Sequence, residues 1–140
     1  MADQTSVTID APIEKVWAVV ADVTSWPSWT PTVTTVRALS GPPQLGADFE
    51  VDQPKLPRAV WEIAVWEPPN RFDWVTKSMG MVTEGSHDLV GDGDRTVVTL
   101  AISQSGGLAP LVRLVYGGLI RRNLATEARS LKARCESPPH

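Results

Sequence analysis

The stretch Trp61-Glu62-Ile63-Ala64-Val65-Trp66-Glu67-Pro68-Pro69-Asn70-Arg71-Phe72-Asp73-Trp74-Val75-Thr76-Lys77 decides the fold. Trp61, Ile63 and Val65 alternate with Glu62 on one side of Pro68-Pro69-Asn70, and Phe72, Trp74 and Thr76 alternate with Asp73 and Lys77 on the other. A period of two is that of a strand with one buried and one wet face, and the proline-rich centre is a turn. The two runs therefore read as an antiparallel hairpin. The same alternation occurs upstream, where Asp48, Glu50 and Asp52 bracket Phe49 and Val51. Further turn signals stand at Gly41-Pro42-Pro43, Pro54 to Pro57 and Gly91-Asp92-Gly93-Asp94. The last resembles a calcium loop in composition, but it lacks the ligand spacing of one. The spacing predicts about six strands between Val33 and Gln104, each of ordinary length.

Outside that region the period changes. Ser6 to Asp10 alternates around Val7 and Ile9, and Pro12 then opens a stripe of Ile13, Val16, Trp17 and Val20 at helical spacing, ending near Asp22. Trp26 and Trp29 follow at a three-residue spacing and predict a short helical turn. After Ser105-Gly106-Gly107 a long helix carries Leu108, Val112, Val115 and Leu119, drifting to Ile120, Leu124, Ala128 and Leu131. Pro110 is tolerable in its opening turn. Gly117-Gly118 lies mid-helix, at roughly 1 kcal/mol per glycine, which implies a kink, a close approach to the sheet or a widened space beneath the helix. An antiparallel sheet with one apolar face needs a cover, and this helix is the element able to lie along it. The expectation is an α+β chain in which a curved sheet grips a helix. Residues 1–136 form one domain, and residues 137–140 a flexible tail.

Composition narrows the function. The chain has 140 residues, 42% hydrophobic and 21% charged, so it can build a core without disulfides. Cys135 is the single cysteine and His87 and His140 are the two histidines, so no zinc site of the usual spacing can form. The opening MADQTSVTID has no secretory pattern, and no stretch is apolar enough for a membrane span, so a cytoplasmic location is expected. A net charge of −3 argues against nucleic acid as partner. The charge is uneven: residues 1–107 hold seven basic and fourteen acidic side chains, residues 108–140 six basic and two acidic. Arg113, Arg121, Arg122, Arg129, Lys132 and Arg134 give the long helix a basic wet side, which suits a solvated face opposite an acidic sheet or, less readily, contact with an anionic membrane surface.

Few polar residues share the parity of the buried face. His87 does, with Gly85 and Leu89, and is read either as an acid–base or hydrogen-bonding group in a cavity or as a satisfied core histidine. Thr76 on its strand, and Tyr116 and Asn123 near the helix stripe, are candidates to orient a ligand's polar end. Trp61 and Trp74 point inward, as cavity walls or as core. Trp17, Trp26 and Trp29 read as packing residues. Trp66 has the outward parity of Glu62 and needs a loop or an interface to cover it. Cys135 has no histidine near it in sequence and is assigned no role.

The run Ile9-Asp10-Ala11-Pro12 with Glu14, Val16 and Trp17, then Asp22-Val23 with Trp26, Trp29 and Pro31, resembles the N-terminal signature of the START-like polyketide cyclase/dehydrase superfamily. Trp61-Glu62-Ile63 leading to Glu67-Pro68-Pro69-Asn70-Arg71-Phe72 resembles its central hairpin, Gly93-Asp94-Arg95-Thr96-Val97 its last hairpin, and Leu131-Lys132-Ala133 with Glu136 its helix end. The resemblance implies a helix-grip fold, with a seven-stranded curved antiparallel sheet wrapped around the C-terminal helix, two short helices after the first strand, and an apolar cavity. It implies a container for a hydrophobic small molecule: a lipid, a quinone or a polyketide-like ring system. The alternatives are an aromatase/cyclase or dehydratase, with His87 as candidate catalytic group, and an interaction protein similar to chaperone activators. The expected pocket is Phe49, Val51, Trp61, Ile63, Phe72, Trp74, Thr76, His87, Leu89, Leu100, Tyr116 and Asn123. No cofactor or metal is expected, and the chain is expected to be a monomer or homodimer.

Overall fold

The computed structural model describes residues 2–78 and 80–137. Strand β1 (Ala2–Ile9) leads into α1 (Ile13–Ala21) and a 3₁₀ helix (Val23–Ser28). Six strands follow: β2 (Thr35–Ala38), β3 (Asp48–Asp52), β4 (Ala59–Glu67), β5 (Arg71–Ser78), β6 (Met81–Asp92) and β7 (Arg95–Gly106). Helix α2 (Ala109–Glu136) closes the chain, and residues 138–140, part of the expected tail, lie outside the described residues. The seven strands form one sheet in the order β1-β7-β6-β5-β4-β3-β2, with every neighbouring pair antiparallel. This is the helix-grip arrangement that the hairpin pattern and the long helix predicted.

Local chemistry explains the elements. Pro12, extended, sits just before α1, whose Val16 and Val20 are buried as their spacing requires. The 3₁₀ helix is tied at its start by Ser25 Oγ, which donates to Asp22 Oδ2 at 2.7 Å. It is tied back to α1 by Trp26 Nε1, which donates to Val20 O at 3.0 Å, so that this buried indole is satisfied. β6 and β7 pair over their whole length, from Met81 opposite Gly106 to Asp92 opposite Arg95. Gly106 ends that ladder at φ 112, where a Cβ would stand 2.3 Å from Gly80 O, so only glycine fits.

The core lies between α1, the 3₁₀ helix and the sheet, with Ile9, Val16, Val20, Phe49, Ile63, Phe72, Leu89 and Val98 sealed from solvent. Helix α2 joins it through Ile120 and its second half, where Leu124, Ala128, Leu131 and Cys135 are buried. The continuous stripe predicted from Leu108 onward does not all reach the core. Leu108 and Val115 are exposed, together with Leu111 and Leu114. Polar clasps explain the posture. Arg113 donates to both oxygens of Asp3 at 3.0 and 3.3 Å, and Lys132 Nζ donates to Thr8 O at 3.1 Å. Glu136 Oε2 accepts from Asp10 N at 2.8 Å. All three clasps hold α2 to β1 or to the residue just after it, so the helix hangs from one edge of the sheet. The Gly117-Gly118 pair falls where the buried half begins. A Cβ on Gly117 would meet the Arg121 guanidinium at 3.3 Å and no sheet atom so close, which removes close approach to the sheet as its reason. No helix among the described residues is long and apolar enough to cross a membrane.

Candidate functional site

The lifted half of α2 roofs a cavity of about 710 Å³. Val112, Tyr116, Ile120 and Asn123 line it from the helix; Trp61, Thr76, Thr83, Ile102 and Gln104 line it from β4 to β7; Gln53, Leu56 and Arg58 line it from the loop between β3 and β4. That volume lies within the range of sites that enclose drug-sized ligands. A niche of about 60 Å³ adjoins it, sharing Gln53, Trp61, Ile102, Leu124 and Glu127, and bounded by Trp26, Trp74 and His87. It has room for a few waters but not for a ring.

Strand register grades the inner face from aromatic to polar. Phe72 pairs with His87 and His87 with Leu100; two residues along, Trp74 pairs with Gly85 and Gly85 with Ile102. A further two residues along, Thr76 pairs with Thr83 and Thr83 with Gln104. Gly85 is needed because the Trp74 indole lies across it, where a Cβ would be 2.9 Å from Nε1. The cavity therefore meets a packed aromatic cluster at one end and a row of hydroxyls and an amide at the other.

The expected pocket residues separate into three groups. Trp61, Thr76, Tyr116 and Asn123 line the cavity. Val51, Trp74, His87 and Leu100 bound the niche, which Trp61 also reaches. Phe49, Ile63, Phe72 and Leu89 line neither and are packed core, because the 3₁₀ helix and α1 cover that end of the inner face. His87 is buried and its ring stacks on Phe72 with centroids 4.1 Å apart and planes 13° apart. Its Nδ1 lies 3.1 Å from Phe72 O, and a carbonyl can only accept, so Nδ1 carries the proton. Desolvation by this apolar surround lowers its pKa to about 4, against smaller opposing effects of the Phe72 carbonyl and Asp73. At neutral pH the imidazole is uncharged and already bonded, as a satisfied core histidine is.

Trp66 departs from its predicted outward parity. The β4–β5 register shifts between Ile63 and Val65, and the extra residue of this bulge turns Trp66 to pair with Phe72. Its ring lies 5.2 Å from that of Trp17 and 5.8 Å from that of Phe72, so neither a loop nor an interface is needed to cover it. Cys135 is buried, and desolvation pushes its thiol up to about 11, which keeps it protonated.

Gln104 and Glu127 are among the cavity residues that lie outside the expected set. Gln104 is buried on β7, and its Oε1 has no hydrogen-bond partner. Glu127 on α2 lines both the cavity and the niche, and desolvation pushes its carboxyl up to about 7. The residue as a whole is half-buried, and water in an open cavity moderates that desolvation, whereas an apolar ligand that displaces the water deepens it. A readable signal existed for Glu127. It stands seven residues after Ile120 and three after Leu124, on the apolar stripe and not on the wet face.

A sheet gripping a long helix over a largely apolar cavity is the helix-grip fold of START-like proteins. The family described as polyketide cyclase / dehydrase and lipid transport matches residues 4–136, and the chain belongs to it. No curated protein sequence matches the chain. Among solved structures it is similar to the Zhui aromatase/cyclase from Streptomyces sp. R1128, at 17% identity and TM-score 0.81, covering 97% of this chain and 93% of that one. It is also similar to a START superfamily protein from Mycobacterium smegmatis, at 20% identity and TM-score 0.71, covering 96% and 97%. The di-domain aromatase/cyclase BexL of the BE-7585A biosynthetic pathway aligns at 16% identity and TM-score 0.76, covering 99% of this chain and 51% of that one. At these identities the likeness is one of fold.

Proposed function

We propose that this protein is a container that encloses a hydrophobic small molecule, a lipid, quinone or polyketide-like ring system, between the sheet and the lifted half of α2. The observation that carries this reading is the cavity of about 710 Å³ under a helix clasped along one sheet edge. Burying a ligand there recovers the free energy of apolar walls that a packed core would otherwise claim, at about 25 cal/mol per Å². Filling the cavity tests it. Thr83→Trp places an indole into the space from a strand that tolerates aromatic residues. It is expected to weaken binding of the neutral dye Nile red at least tenfold while leaving the circular dichroism spectrum unchanged. Unaltered dye affinity in a folded variant would overturn the container.

A second reading, a cyclase or dehydratase, has one observation in its favour. Such chemistry needs a proton-transfer group that faces the ligand and titrates near the working pH. His87 is bonded to Phe72 O and uncharged, whereas the Glu127 carboxyl faces the cavity with a pKa of about 7. On this reading a β-keto substrate turns over, and Glu127→Gln lowers the rate by roughly 10²–10⁴-fold. Turnover unaffected by that substitution would remove Glu127 as the acid–base group.

A further inference from the structure

The exposed apolar residues at the start of α2 stand at the mouth of the cavity. Leu108, Leu111 and Val115 line the cavity and are exposed as well, and so are Pro57 and Arg58 of the β3–β4 loop and Lys77 of β5, which places these six side chains around its opening. Leu114 is 82% exposed and does not line the cavity, so it projects outward beside the same rim. Leu111, Leu114, Val115, Gly118 and Arg122 share one stripe of the helix surface, at spacings of three and four. A single exposed leucine is ordinary, but a contiguous apolar stripe beside an opening marks a contact surface.

The charge around this stripe selects its partner. Residues 53–60, 76–83 and 108–126, which build the mouth, hold six basic side chains and no acidic one, whereas the rest of the chain holds seven basic and sixteen acidic. Arg58 is shared with Asp52 at 3.6 Å and Arg113 is held by Asp3, but Lys55, Lys77, Arg121 and Arg122 form no ion pair among the described residues. The Arg122 guanidinium reaches back over Gly118, toward the apolar stripe. A second copy set stripe to stripe would bring cation against cation, with no acid between Leu108 and Thr126 to separate them. An anionic bilayer matches both features, since leucines enter the acyl boundary while arginine stems lie along it and their guanidinium groups meet lipid phosphates. Resting on the container reading for its purpose, we propose that the mouth of the cavity, with the stripe Leu111, Leu114 and Val115 and the cations Lys77, Arg121 and Arg122, docks on a bilayer containing anionic lipid. An apolar ligand then passes between hydrocarbon and cavity without crossing water.

The test is co-sedimentation of the full chain with vesicles of phosphatidylcholine alone and of phosphatidylcholine with about one-third phosphatidylglycerol, beside Nile red affinity measured without vesicles. The chain is expected to bind the anionic vesicles at least about tenfold more tightly than the neutral ones, with the difference fading at high salt. Leu114→Glu should weaken vesicle binding about tenfold or more, through the lost apolar burial and the added negative charge, and leave Nile red affinity unchanged because residue 114 does not line the cavity. The double substitution Arg121→Gln, Arg122→Gln should cost about tenfold on anionic vesicles alone. Leu45→Glu is the control: Leu45 is 66% exposed in the β2–β3 loop, away from the cavity, and its replacement should change neither measurement. Failure of the wild type to bind anionic vesicles, equal binding by Leu114→Glu, or an equal loss in Leu45→Glu overturns the docking face. If Nile red still binds in any of those cases, the container stands. Vesicle binding that follows the expected order in a chain without Nile red affinity leaves the docking face in place and removes the container.

Discussion

Phe72→Ala is expected to remove about 3–5 kcal/mol of stability, a large share of the roughly 5–15 kcal/mol that a domain of this size possesses. Phe72 is fully buried at the centre of the aromatic cluster. His87 stacks on it at 4.1 Å, and the rings of Trp17, Trp26, Trp66 and Trp74 stand between 5.7 and 6.3 Å from it. Such rings hold one another in place, so the space left by the phenyl group cannot close by small shifts, and the lost transfer energy is joined by a cavity term. Trp61→Ala is a control of opposite kind. Its indole borders space that already exists, so its loss enlarges an open cavity and creates no sealed void. Roughly half the cost is expected despite the larger side chain. Urea titrations of both variants, with equal slopes, measure the difference. A Trp61→Ala loss equal to or greater than that of Phe72→Ala would mean that the wall is core and that the ligand space is not preformed.

Much of this architecture was legible in the residue pattern. Period two in β3, β4 and β5, with turn residues between them, is enough to place Phe49, Ile63, Phe72 and Trp74 on one buried face, because successive strand side chains must alternate. The rule fails at the β4 bulge, where an extra residue reverses the parity of both Val65 and Trp66 and leaves no mark in a run as uniform as Ile63-Ala64-Val65-Trp66, and again at Asp73, read as wet but buried beside Arg71. The boundary between core and cavity was less legible. Parity states which face is inward but not how far the covering helix stands from it, and that distance is set by clasps such as Arg113 to Asp3, which join residues 110 positions apart. The polar wall was hidden for another reason. Charged residues of α2 sort naturally to its wet side, and only the spacing of Glu127 from Ile120 and Leu124 sets it on the stripe instead.

Opposed proton linkages are expected to flatten the acid limb of the stability profile, and one substitution should expose it. His87 is uncharged in the folded chain down to about pH 4, whereas in the unfolded chain it takes up a proton near pH 6.5. Between those values the unfolded state binds more protons, so this residue's contribution is complete above pH 6.5 and is lost as pH falls, by about 3 kcal/mol at pH 4. Glu127 has the opposite sign. Its folded carboxyl keeps a proton up to about pH 7 that the unfolded chain releases near pH 4.5, so its contribution is complete below pH 4.5 and is lost as pH rises through 7. Across pH 4.5–6.5 the two slopes oppose each other. Glu127→Gln removes one of them, and its stability relative to wild type should then drop progressively as pH is lowered from 6.5 to 4.5, although glutamine itself does not titrate. Surface carboxylates act equally in both proteins and cancel in the comparison. Urea unfolding of ligand-free wild type and Glu127→Gln at pH 4.5, 5.5 and 6.5 reads the effect directly. A constant stability difference across the three pH values would show that Glu127 is ionised in the folded chain as it is in the unfolded one, and the carboxyl would then belong to the solvated face of α2 and not to the cavity.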